Sequence, residues 1–260
     1  MYNVFVTTLK RSNSIGLVAI LSISFGCSPK PKPVATNPFD AYVSAFDNCV
    51  IGSKSDGKDC SEFETNDGPL TVALIKGVKE TPTEREKLID AAESNKNLVR
   101  QEAAFSILRR ALTREEMLPI CKKVAENPDS ERIVTVLVYL GEDESDSLSN
   151  EMRWEIVRNT IIRTSRSQNI TVAANNVYSL RREYREEGAN TFKLSLKARL
   201  VRGTDSAKLI RNMIRQSYNY GFIPVKDILA MRKDVEKVYG NEVGADIFAF
   251  TTEYANLKRE

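Results

Sequence analysis

The sequence predicts an all-α protein, an irregular right-handed α-solenoid of stacked helical hairpins, with a compact helical bundle as the alternative arrangement. Three observations carry this. Apolar residues recur at spacings of three and four in one segment after another, the mark of a helix with one buried face. Thr83-Glu84-Arg85-Glu86 and Thr113-Arg114-Glu115-Glu116 each set a Glu three residues after a Thr, the capping-box pattern that opens a helix. Helix-breaking clusters separate these segments about every 14 to 20 residues, the rhythm of helical hairpins in an array.

Taken in order, the helices are expected to start near residues 83, 97, 113, 130, 149, 169, 189, 204, 224 and 241. The breakers between them include Asn127-Pro128-Asp129, the acidic stretch 141–147, Glu187-Gly188, Arg202-Gly203, the stretch 221–224 and Gly240. The helix opening at Thr113 carries Met117, Leu118, Cys121, Val124 and Ala125 on one face, with Pro119 bending its first turn. Ala173, Val177, Leu180 and Tyr184 form a later stripe, as do Ala207, Ile210, Met213 and Ser217. Val243, Ile247, Phe250, Tyr254 and Leu257 form the last one. Phe192, Leu194, Leu196, Ala198 and Leu200 alternate with a strand period. A single strand with no partner would be unstable, so this stretch reads as a helix buried on more than one side.

Asn97 to Ala104 (NLVRQEAA), with Ile107 and Leu108, resembles the second helix of a HEAT repeat, where a Val-Arg pair precedes paired alanines. The resemblance implies close helix packing at Ala103 and Ala104. It covers about a dozen residues and does not recur downstream.

The N-terminus reads as an export signal. Lys10 and Arg11 precede an apolar run from Ile15 to Phe25, and Gly26 precedes Cys27. That run is too short to span a bilayer, which takes about 20 residues. Ile23 to Cys27 (ISFGC) resembles the lipobox of bacterial lipoproteins, with Ser24 and Phe25 departing from its usual residues. The resemblance implies signal removal at 1–26 and lipid on Cys27. Ser28 after the cysteine implies the outer membrane, with the protein facing the periplasm. An ordinary secreted chain is the alternative. Residues 27–38, with prolines at 29, 31, 33 and 38, read as a lipid-anchored, extended tether. An irregular segment is expected over 39–82 and a helical repeat-like domain over 83–260.

An exported chain meets an oxidising compartment, so Cys49 and Cys60 are expected to form a disulfide, with two free thiols as the alternative. Cys121, on an apolar helical face, reads as a small buried hydrophobe.

The chain has no histidine, which excludes His-based triads and the common zinc sites. No phosphate-binding Gly-rich loop or dinucleotide fingerprint occurs. Ser55-Asp56-Gly57-Lys58 resembles the nucleophile motif of penicillin-recognising enzymes, but the accompanying S-D-N and K-T-G elements are missing, and a polar turn is the plainer reading. No cofactor, metal or nucleic acid is expected. Carboxylate pairs suffice for cleaving sugar bonds, so a peptidoglycan hydrolase or lyase is the alternative function, with Glu93-Ser94 and Glu144-Ser145 as its nearest motifs.

Charge is unevenly spread. Residues 47–148 hold 14 Lys/Arg against 21 Asp/Glu, net −7, and residues 149–220 hold 14 against 6, net +8. Arg158, Arg163, Arg166, Arg181, Arg182, Arg185, Arg199, Arg202, Arg211 and Arg215 are therefore candidates for a basic face that binds an envelope protein. The alternative is that they are solvated outer faces, partly paired with the acidic half. Tyr178, Tyr184, Tyr218 and Tyr220 are interleaved with them. The expected function is a lipid-anchored, non-catalytic helical scaffold for a protein partner in the bacterial envelope.

Overall fold

A computed structural model describes residues 37–51, 68–94, 96–142 and 146–257, and all regular structure among them is helical. Residues 1–36, with the expected signal, Cys27 and most of the expected tether, and the Ser55–Lys58 motif lie outside the described residues. Helix α1 (Pro38–Phe46) opens with Pro38 at its first position, and the side chain of Asn37 accepts the Phe39 N–H at 3.0 Å. Proline is favoured there because its missing N–H would have had no partner within the helix. Pro38, placed in the tether from sequence, is thus a helix starter. A π-helical turn (Asp47–Ile51) follows α1. Helix α2 (Pro69–Glu80) also starts on a proline and buries Thr71, Leu74 and Val78. The stretch expected to be irregular, 39–82, therefore contains two helices.

Helix α3 (Pro82–Glu93) starts at Pro82, which moves its N-cap to Thr81 and leaves the box expected at Thr83 unformed. Helix α4 (Leu98–Ala111) is capped by Asn97 and buries Ala103 and Ala104 completely, where α3 packs on it. Helix α5 (Arg114–Val124) has the expected capping box. Thr113 Oγ1 accepts the Glu116 N–H at 3.3 Å, and Glu116 accepts the Thr113 N–H at 2.8 Å. Helices α6 (Ile133–Gly141), α7 (Ser147–Arg163) and α8 (Ser167–Ser179) follow.

Helix α9 (Arg182–Arg202) absorbs the strand-like stretch: Phe192, Leu196 and Leu200 are buried four residues apart, while Leu194 and Ala198 face solvent. It begins earlier than expected because Gly188 is not a breaker. Gly188 lies inside the helix, and a Cβ there would sit 2.6 Å from Val177 Cγ1, so this glycine lets α9 approach α8 closely. Tyr184 accordingly belongs to α9, where its ring lies 6.1 Å from that of Trp154. Gly203, at φ 67°, ends α9 in the left-handed conformation that glycine adopts without strain. Helices α10 (Ala207–Asn219), α11 (Val225–Ala230), α12 (Arg232–Tyr239) and α13 (Asn241–Leu257) complete the chain. The side chains of Phe250, Tyr254 and Leu257 are outside the described residues.

Packing follows the order of the chain in two interleaved series. Helix α3 packs on α5, α5 on α7, α7 on α9 and α9 on α12; α2 packs on α4, α6 on α8, α8 on α10 and α10 on α13. The rings of Phe105 and Tyr139, 5.8 Å apart, bring α4 against α6. Between α5, α7 and α9 polar contacts recur at similar sequence separation: 35 for Arg114–Ser149, 33 for Lys122–Glu155, 34 for Ser195–Ile161 and 35 for Arg199–Thr164; between α8 and α10 it is 41 for Asn212–Thr171 and 45 for Asn212–Ser167. Partner numbers rise together, so α5, α7 and α9 run parallel to one another. One hydrophobic cluster, from Phe39 to Phe248, threads the whole set.

Asp129 clips the turn after α5 to the turn after α7. It accepts the Thr164 hydroxyl at 2.7 Å, the Ser165 N–H at 2.6 Å and the Ser165 hydroxyl at 2.8 Å. Burial works against its charge, but the hydrogen bonds from Thr164 and Ser165 outweigh that and hold the carboxyl below its usual range. A carboxyl depressed in the folded state contributes stability that is present above its unfolded value, about 3.9, and is lost as pH falls through the folded one. Thermal melts should therefore show a loss of stability in that acid window, and Asp129→Asn should flatten it while lowering Tm at neutral pH. An unchanged acid profile in the variant would remove this role from Asp129.

Candidate functional site

The ten arginines singled out from sequence divide by what they touch. Arg199, expected on the exposed face, is instead buried, with 2% of its surface accessible. Its Nη2 donates to the carbonyls of Ile162 and Thr164 at 2.9 Å each and of Ile161 at 3.3 Å; its Nη1 donates to Asp205 at 2.6 Å. Arg166 pairs with Glu131 at 2.7 Å and donates to the Asp129 carbonyl at 3.2 Å. Arg182 pairs with Glu186 at 3.3 Å, Arg202 with Asp205 at 3.4 Å and Arg211 with Asp246 at 2.9 Å. Arg185 lies 5.4 Å from the centre of the Tyr178 ring and donates to the Leu180 carbonyl at 3.2 Å. That ring also packs against Tyr220, at 5.3 Å, so Tyr178 and Arg185 already serve one another and the corner between α8 and α9. Arg181 stands at the N-cap position of α9 without a side-chain cap bond, and Arg215 is exposed on α10.

Arg158 and Arg163 differ from these. Both project from α7 into a groove of about 360 Å³ between α5 and α7. Ile156 and Ala125 form its apolar floor, and Ile162, 44% exposed, stands at its lip beside Arg163. On the same groove Lys122 is engaged by Glu155 at 3.2 Å, and Lys123 near its end by Glu126 at 3.0 Å. Arg163 donates only to Asn159, at 3.4 Å, and among the described residues no carboxylate pairs with Arg158 or Arg163. Two guanidinium groups beside an apolar strip suit a carboxylate-bearing partner segment, because each can bind a carboxylate through two parallel N–H donors.

Local sequence explains this arrangement. In Ile161-Ile162-Arg163 the helical period turns Ile161 into the core and leaves Ile162 and Arg163 outside. The contribution of Lys122 was not legible, since nothing in its local pattern says that α5 lies one hairpin away from α7.

The remaining sequence-derived sites are quickly placed. Cys49 is disulfide-bonded; its expected partner Cys60, like Cys27, lies outside the described residues. Cys121 is free and fully buried, and burial pushes its thiol up to about 12, so it is a neutral packing group. Glu93 ends α3; burial raises its pKa, with Lys123 opposing, while Glu144 lies outside the described residues. Among the described residues no group of three Cys, Asp or Glu could hold a metal ion, and no helix is long and apolar enough to cross a membrane.

Arg199 shows what the basic block does inside the protein. Arg199→Met should leave three carbonyls without their donor and Asp205 with Arg202 alone, costing about 3–5 kcal/mol and lowering Tm by about 10 °C or more. Arg199→Lys should restore only part of the loss, because an ammonium lacks the planar fork. Equal melting of the methionine variant and the native chain would refute the assignment.

No protein family, characterised protein or solved structure matches this chain.

Proposed function

We propose that this protein is a lipid-tethered, non-catalytic helical scaffold that holds an acidic protein partner in the bacterial envelope, with its helices stacked as an irregular right-handed α-solenoid. The single observation that carries the binding role is the exposed groove between α5 and α7, where Arg158 and Arg163 flank an apolar strip. The array reading is supported by the order of packing, in which helices meet others nearby in the chain, and by the parallel run of α5, α7 and α9, since in a solenoid each repeat touches only its neighbours. The tether reading rests on Lys10–Cys27 and the prolines that follow, and the Cys27 lipid would leave the array free to reach its partner.

Two measurements test this reading. Mass spectrometry of the mature chain should find residues 1–26 removed and lipid on Cys27; an unprocessed Met1 would overturn the anchor. Affinity capture from envelope extracts should recover a defined partner, and the pair Arg158→Glu, Arg163→Glu should reduce recovery at least about tenfold, in line with reversing charges in a desolvated contact. Both residues are exposed, so the fold should melt unchanged. Undiminished recovery would exclude the α5/α7 groove, and release of soluble fragments from purified peptidoglycan would overturn the non-catalytic reading.

A further inference from the structure

A groove of about 510 Å³ lies between α9 and α12. Leu200 and Met231, both nearly buried, form its floor, and Val201 and Val238 form its walls. Val201 is 88% exposed, more than any other large apolar side chain among the described residues. A single exposed valine is unremarkable, but one at the mouth of an apolar groove extends a continuous surface for contact. Lys197 and Lys237 stand at the rim, with Asp234 in the lining and Asp227, already paired with Lys193, close enough to Lys197 to feel its charge.

The groove is held open at both ends. Lys193 pairs with Asp227 at 2.7 Å, joining α9 to α11, and the Tyr239 hydroxyl donates to the Asp205 carbonyl at 2.9 Å, joining the ends of α9 and α12. Gly203, in the turn after α9, lies against Val238 at the same end. Between these clips α9 advances about 15 Å, near three helical turns. A site fixed before binding loses little freedom when it is filled.

From these observations we propose that the α9/α12 groove is a docking site for an amphipathic helix of a partner protein, one whose apolar row is flanked by carboxylates. The apolar floor takes the row as a helix-in-groove contact. Lys197 and Lys237 meet the flanking carboxylates, giving the groove its choice of charge. An acyl chain fits less well: with Val201 so exposed, a chain lying there would keep much of its surface in water. A helix brings its own polar face to cover the open side. This inference does not rest on the α5/α7 groove or on the lipid anchor.

The test uses the purified full chain and a fluorescein-labelled synthetic helix of about 15 residues, with leucines on one face and glutamates flanking them. Anisotropy should show saturable binding. Val201→Asp, and separately the pair Lys197→Glu, Lys237→Glu, should each weaken it at least about tenfold, as should replacing the probe's glutamates by lysines. All three positions are exposed, so the variants should melt as the native chain does. Arg158→Glu should bind the probe normally, which separates this groove from the α5/α7 groove. Native affinity in the Val201 and lysine variants would overturn the proposal. So would equal binding of a probe with serine in place of leucine, or binding only to vesicles of anionic phospholipid.

Discussion

The carbonyl groups at helix C-termini have no partner within their own helix, and in this protein several of those ends are buried. Everything else in the packing depends on meeting that demand. Arginines supply the answer. Arg199 gathers the carbonyls that close α7, Arg132 donates to the Ala92 carbonyl at the end of α3 at 2.5 Å, and Arg114 donates to the Tyr139 and Leu140 carbonyls at the end of α6 at 3.0 and 2.9 Å. The negative end of each helix dipole favours a cation there. The planar guanidinium spreads its donors over three nitrogens and so reaches oxygens that lie several ångströms apart, where a lysine offers its donors from a single nitrogen.

These contacts also fix register. A guanidinium that fills a helix end specifies which turn of one helix faces which turn of the next, where apolar packing alone tolerates sliding by a turn. Asp129 does the same with the opposite sign, drawing Thr164 and Ser165 of the next hairpin onto the turn after α5. Buried polar contacts of this kind contribute specificity rather than a large net stability, because desolvating the charges offsets much of their attraction.

The same economy separates structural from available charge. Arg199, Arg132 and Arg114 are consumed by the fold, and Arg166, Arg202 and Arg211 are held by carboxylates. Among the charges not paired with a carboxylate, Arg158 and Arg163 stand beside Ile162 on one groove, and Lys197 and Lys237 stand beside Val201 on another. Both grooves lie between helices of the series α3, α5, α7, α9 and α12.

The chain by itself determined its helical class, because a 3.6-residue period and a capping box are written within a dozen residues. Thr113 and Glu116 needed no distant partner to be recognised, and neither did Gly203 at the end of α9. Local pattern failed where a local signal had a distant cause. Gly188 looks like a breaker until Val177 is seen against it, and Pro38 and Pro69 look like coil until they stand at the first turn of a helix. The arginine block was legible as composition but not as structure. Arg199 and Arg163 are both arginines near the end of a helix, and their difference lies wholly in what is brought against them. Arg199 is a strut because backbone carbonyls 35 to 38 residues away close around it, and only the tertiary fold brings them there.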